Sequence, residues 1–99
     1  MAVTCTTLEE VRTHIDRLDQ QIVTLLAERG RYVFQAARFK KDADDVKAPQ
    51  RVEQVIAKVR DLSQTVGANP EVTEQVYRSM IAAFIQQELA EHAALVQTS

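Results

Sequence analysis

A chain of 99 residues with two Gly, two Pro, no Trp and 5% aromatic against 45% hydrophobic residues points to one all-α domain with a core of Leu, Ile, Val and Ala, not a β-sandwich. A net charge of −2 gives no general attraction for nucleic acid or an anionic membrane, so any basic site must be local. Cys5 has no second cysteine to pair with, the longest apolar run (residues 80–85) is too short to span a bilayer, and the N-terminus lacks a basic-then-apolar signal pattern, so a cytoplasmic protein is expected.

The first helix is expected to begin after "TTLEE", where Thr6 and Glu9 have capping-box spacing. Leu8, Val11, Ile15, Leu18, Ile22 and Leu25 then recur at steps of three and four, forming one apolar seam. The register continues through Arg29, Tyr32, Ala36 and Phe39, and Gly30 costs only about 1 kcal/mol in a helix interior. The pattern predicts a helix over residues 8 to 41, a rod of roughly 50 Å at about 1.5 Å per residue. So long a rod would protrude from a compact monomer, and its seam most simply finds cover on a second copy of the chain.

"DADDVKAP" reads as a polar loop, mobile when empty, that ends at Pro49, a residue suited to a first helical turn. The second helix shows Val52, Val55, Ile56, Val59 and Leu62 before fading at "SQTVGANP". There Gly67 suits a left-handed cap, and Asn69-Pro70 starts the third helix. Val72, Val76, Met80, Ile81, Phe84, Ile85 and Leu89 form the third helix's stripe, and the tail after about residue 93 is expected to fray.

Three ionisable residues interrupt these stripes. Arg29 stands in the seam, and Lys40 lies on the same helical face if the first helix extends that far. Glu88 falls on the inward face of the third helix, where desolvation disfavours its charged form unless a cation lies close; protonated, it would donate a hydrogen bond. Each residue taken alone fits a structural ion pair or a snorkelling side chain. Together they leave two cations against one anion, a surplus that a small di-anionic ligand would neutralise. His14 and His92 stand alone, so no metal site is expected, and there is no Gly-rich phosphate loop, GxSxG elbow or CxxC. With no nucleophile evident, a reaction driven by positioning and electrostatics, without a cofactor, fits best.

The run "VRTHIDRLDQQIVTLLAER", followed by "ARFK" and "APQRV", resembles the all-helical chorismate mutase family, closest to the branch containing isochorismate pyruvate lyases. The resemblance covers about residues 8–92 and implies an intertwined homodimer of three-helix protomers. In that likeness Arg12 reaches in from the partner chain, Arg29 binds a substrate carboxylate, Lys40 meets the ether oxygen, and Arg51 adds a further arginine. Ile81 and Ile85 form apolar walls, and Glu88 sits where many members have Gln and some mutases Glu. Geometry agrees that one chain is not enough: Arg12 and Lys40 would be about 42 Å apart along a single helix, whereas two first helices paired antiparallel bring Arg12 of one near residue 36 of the other.

The leading expectation is chorismate mutase activity, a Claisen rearrangement of chorismate to prephenate with Lys40 and Glu88 as catalytic groups. Isochorismate pyruvate lyase and 4-amino-4-deoxychorismate mutase are the alternatives. "APQRV" and Val52, which stands where typical mutases have a Glu, lean toward the lyase; Glu88 leans toward a mutase. A non-catalytic helical dimer serving as an interaction or regulatory module is the rival from another class.

Overall fold

The computed structural model describes residues 2–98, with side chains through residue 94. They form α1 (Leu8–Ala37), α2 (Ala43–Lys47), α3 (Pro49–Val66) and α4 (Pro70–Thr98), which is a small all-α chain of three long helices and one single-turn helix. The chain divides into two compact units, Met1–Val33 and Phe34–Ser99.

In the first unit α1 is capped one residue later than expected. Thr7 Oγ1 accepts from the Glu10 N–H at 3.1 Å, while the Glu10 carboxylate accepts from the Thr6 N–H at 2.9 Å and the Thr6 hydroxyl at 3.2 Å. "TTLEE" offers the Thr-x-x-Glu spacing twice, and the later choice wins because Glu10 then satisfies two donors of Thr6 at once. The helix runs on through Gly30 without a break. None of its residues is buried: of the six seam residues, Val11 is the least exposed at 39% and Leu25 the most at 62%.

The second unit opens on the last turn of α1, which stops at Ala37 and not at residue 41. The amides of Arg38, Phe39 and Lys40 bond the carbonyls of Gln35, Ala36 and Ala37 at 3.0–3.2 Å, a succession of i→i−3 bonds that tightens the chain out of α-helical geometry. Lys40 therefore lies beyond the helix, and the helical-wheel argument that gave it the same face as Arg29 does not hold.

The segment expected to be a mobile loop contains α2. Asp42 Oδ1 accepts from the Asp45 N–H at 2.9 Å, and Asp45 Oδ2 accepts from the Lys41 N–H at 2.9 Å, the same reciprocal start that opens α1. One apolar side chain among the charges decides the matter. Val46 is 1% exposed, and α2 packs against α4. The turn closes at Ala48 in the left-handed region, at φ 38° and ψ 61°.

Pro49 opens α3, which continues to Val66, past the expected fade. Its inward face buries Ile56 and Ser63, and the Ser63 hydroxyl is satisfied by the Val59 carbonyl at 2.8 Å. Gly67, at φ 79°, ends the helix, with the Ala68 N–H returning to the Ser63 carbonyl at 2.7 Å. Asn69 Oδ1 accepts from the amides of Glu71 and Val72, and α4 then packs back on α3 with Ile81 buried. The α4 backbone stays helical to Thr98, beyond the point where fraying was expected; side chains after residue 94 lie outside the described residues.

A charge network ties α3 to α4. Arg78 holds both carboxylate oxygens of Glu53, at 2.9 and 3.0 Å, and takes Glu74 through Nε at 2.7 Å; Arg60 meets the other Glu74 oxygen at 2.7 Å. Hydrogen bonds from Arg78 hold the Glu53 and Glu74 carboxyls below the ordinary carboxylate range, and in turn raise Arg78 above its ordinary value.

Candidate functional site

Sequence patterning places Glu88 on the apolar face of α4, one and two turns after Ile85 and Ile81. The structure buries it to 3% exposure. A carboxylate so deep needs a partner, and Lys40 supplies it: Nζ donates to Glu88 Oε1 at 2.9 Å, with the lysine side chain 24% exposed. Lys40 is thus the hydrogen-bond partner that a buried carboxyl group requires. The pair joins a side chain on α4 to one from the tightened turn after α1, forty-eight positions apart in sequence.

Chemically this is an ammonium head at the rim of a buried carboxyl group. An ammonium carries three protons, and Glu88 Oε1 takes one, so Lys40 retains donor capacity for a ligand oxygen. Ile81 is buried and Ile85 half-buried on the same helix, giving Glu88 apolar neighbours. Arg51 is exposed on the first turn of α3. Arg12 and Arg29 belong to the first unit, on α1, the former exposed and the latter half-buried.

Every buried side-chain nitrogen and oxygen among the described residues has a hydrogen-bond partner, and Lys40 is answered by Glu88. Of the residues in the sequence reading, the structure brings Lys40 and Glu88 together as a polar pair set in an apolar helix face. Sequence reasoning passed over Asp45 and Val46 as loop residues. The available signal was Asp42-x-x-Asp45, a cap spacing, directly followed by a lone apolar residue. Among the described residues no group of three or more His, Cys, Asp or Glu is placed to hold a metal ion, and no helix is long and apolar enough to cross a membrane.

A family model described as chorismate mutase type II matches residues 11–89. The chain belongs to that family. The matched span contains every residue from Arg12 to Glu88 considered above. An isochorismate pyruvate lyase of Pseudomonas aeruginosa is 31% identical over 85 residues, 86% of this chain and 84% of that protein. A bifunctional chorismate mutase/prephenate dehydratase of Aquifex aeolicus is 32% identical over 85 residues, 82% of this chain but 24% of that protein. This member of the chorismate mutase type II family thus spans about a quarter of the bifunctional relative's length and most of the lyase's.

Proposed function

We propose that the chain is an isochorismate pyruvate lyase that works as a homodimer on a small di-acid, in place of the chorismate mutase that led the sequence expectations. The supporting observation is the two-way coverage of the lyase relative, 86% of this chain and 84% of that one, whereas the bifunctional mutase relative is matched over only 24% of its length. Val52 supports the same choice. It is half-buried and apolar where the resemblance gives typical mutases a Glu, and the adjacent Glu53 cannot substitute, because both its carboxylate oxygens are held by Arg78.

In this proposal the enzyme forms no covalent bond to its substrate. The ether bond to the enolpyruvyl group breaks as a ring hydrogen moves to the enolpyruvyl methylene, so the side chain leaves as pyruvate and the ring becomes salicylate. Charge grows on the ether oxygen as that bond breaks. Lys40, steadied by Glu88, is in this assignment the donor that meets it, and such a donor aimed at developing charge contributes about 10²–10³ in kcat. Arg29 and Arg12 of the partner protomer would take the two carboxylates, with Arg51 beside them. The unburied apolar seam of α1 from Leu8 to Leu25 supports the second copy, since it offers a continuous surface for a like helix.

Glu88 favours a second reading, mutase activity, since the resemblance pairs Glu at this position with some mutases. Separate assays with isochorismate and chorismate divide the two: fluorescent salicylate with pyruvate from isochorismate is the expected result. Prephenate from chorismate without salicylate would transfer the assignment to the mutase, and turnover of neither would leave the non-catalytic dimer.

A further inference from the structure

Lys40 is an awkward place to hang a reacting group. It lies past the end of α1, in a turn held by i→i−3 bonds, and its four-carbon side chain can swing its head through several ångströms. Its ammonium is fixed by Glu88, but a lysine is positioned only if its backbone is fixed too.

The structure supplies that second anchor through α2. Lys40 gives its own N–H to the Ala37 carbonyl at 3.2 Å. The next amide, Lys41 N–H, is taken by Asp45 Oδ2 at 2.9 Å, and the Asp45 N–H is in turn taken by Asp42 Oδ1 at 2.9 Å. Asp45 is thus bonded through both side chain and backbone, closing residues 41 to 45 into a small ring. The residue that follows it, Val46, is 1% exposed, on a helix packed against α4. Since α4 also carries Glu88, one helix holds Lys40 twice: at its head through the ion pair and at its backbone through Val46 and Asp45.

From this arrangement we infer that Asp45 is a positioning residue for Lys40, acting through the Lys41 amide. The inference rests on the role given to Lys40 above, and touches no substrate atom itself. An anionic acceptor on a backbone N–H makes a short, strong hydrogen bond. Without it, the turn preceding α2 is free to relax, and a displacement of about 1 Å in a reacting group can cost about 10²-fold in rate.

The test is kinetic, on the full chain, with isochorismate as substrate. Lys40→Ala is expected to lower kcat by about 10²-fold or more. Asp45→Ala is expected to lower kcat by about tenfold while KM stays within about twofold, since the carboxylate-binding arginines are untouched. Asp45→Asn keeps an oxygen acceptor and should recover to within about threefold of the parent. Added to Lys40→Ala, the Asp45→Ala change should cost less than about twofold, because a positioning residue has nothing left to position. An equal loss in both backgrounds would make Asp45 independent of Lys40 and overturn the inference; so would an Asp45→Ala enzyme with unaltered kcat beside a crippled Lys40→Ala enzyme. A Lys40→Ala enzyme of full activity would instead remove the role of Lys40. Hydrogen exchange at the Lys41 amide adds a readout free of the assay: at least about tenfold faster exchange is expected in Asp45→Ala, and unchanged protection would sink the inference whatever the kinetics.

Discussion

Residues 8–25 of α1 place an apolar side chain at every third or fourth position and bury none of them, whereas the second unit buries Val46, Ile56 and Ile81 from three different helices. The contrast separates two things that periodicity is often asked to report together. A seam shows which face of a helix is apolar; what covers that face depends on elements that the seam does not describe. In the second unit burial comes from convergence, with α2 and α3 both packed on α4, and a single well-placed Val46 achieves what six seam residues do not. Its core is small, as expected of a unit of only 66 residues, and a cross-helix charge network and a buried ion pair supplement it.

The largest test of this contrast compares Ile56 with Leu25. Removing the Ile56 side chain, 4% exposed, should destabilise the second unit by about 3 kcal/mol in denaturant unfolding. Leu25→Ala, at a site 62% exposed in the single chain, should cost about 0.5 kcal/mol or less at protein concentrations where the chain is monomeric. If copies pair through the seam, the Leu25→Ala cost grows with protein concentration, and the parent melts higher at a hundredfold greater concentration. A parent melting temperature independent of concentration would take the second copy away from the seam.

Much of the fold was legible because its signals are local. The Gly67 and Asn69-Pro70 boundaries were each read from one or two residues, and each is realised by a backbone or side-chain cap within five positions. The failures share a different origin. The end of α1 at Ala37 depends on i→i−3 bonding followed by a competing cap at Asp42, and α2 exists because Val46 finds α4, a contact invisible to a reading that moves along the chain. At the site, Glu88 was legible as an intruder on an apolar stripe, and Lys40 through the family likeness. Their contact was not, since the helical wheel assigned Lys40 to a helix that it does not join.

The second unit also stores strain that the first does not show. Ala48, at φ 38°, is the one non-glycine with positive φ among the described residues, placed between α2 and Pro49. A Cβ there costs about 1–2 kcal/mol, partly offset by the greater freedom of glycine in the unfolded chain, so Ala48→Gly should stabilise by about 0.5–1 kcal/mol. Gly67→Ala is the mirror experiment. An added Cβ meets nothing within 4 Å, so the expected loss of about 1 kcal/mol would report the left-handed backbone alone. If Ala48→Gly destabilises, the junction is not strained and the α2 turn is held by something other than Val46 and the two aspartates.

The smallest effect lies in the charge network, which can be separated from the buried pair by pH. Glu53 and Glu74 have folded carboxyls below the ordinary value of 4.5, chiefly because Arg78 hydrogen-bonds both. Below the ordinary value the unfolded chain binds protons that the folded chain still refuses. Stability from these two groups is therefore complete above that value and drains away as pH falls through their lowered folded values. Arg78→Ala removes the cause, so the gap in melting temperature between parent and variant should be a few degrees at most near neutrality, as surface pairs are weak, and should close as the solution is taken below about pH 4. Because Arg78 stays charged throughout, any closing of the gap reports the carboxylates. A gap that stays constant with pH would mean that Arg78 stabilises the α3–α4 hairpin through the packing of its stem, leaving the network's charges without a part in holding the second unit together.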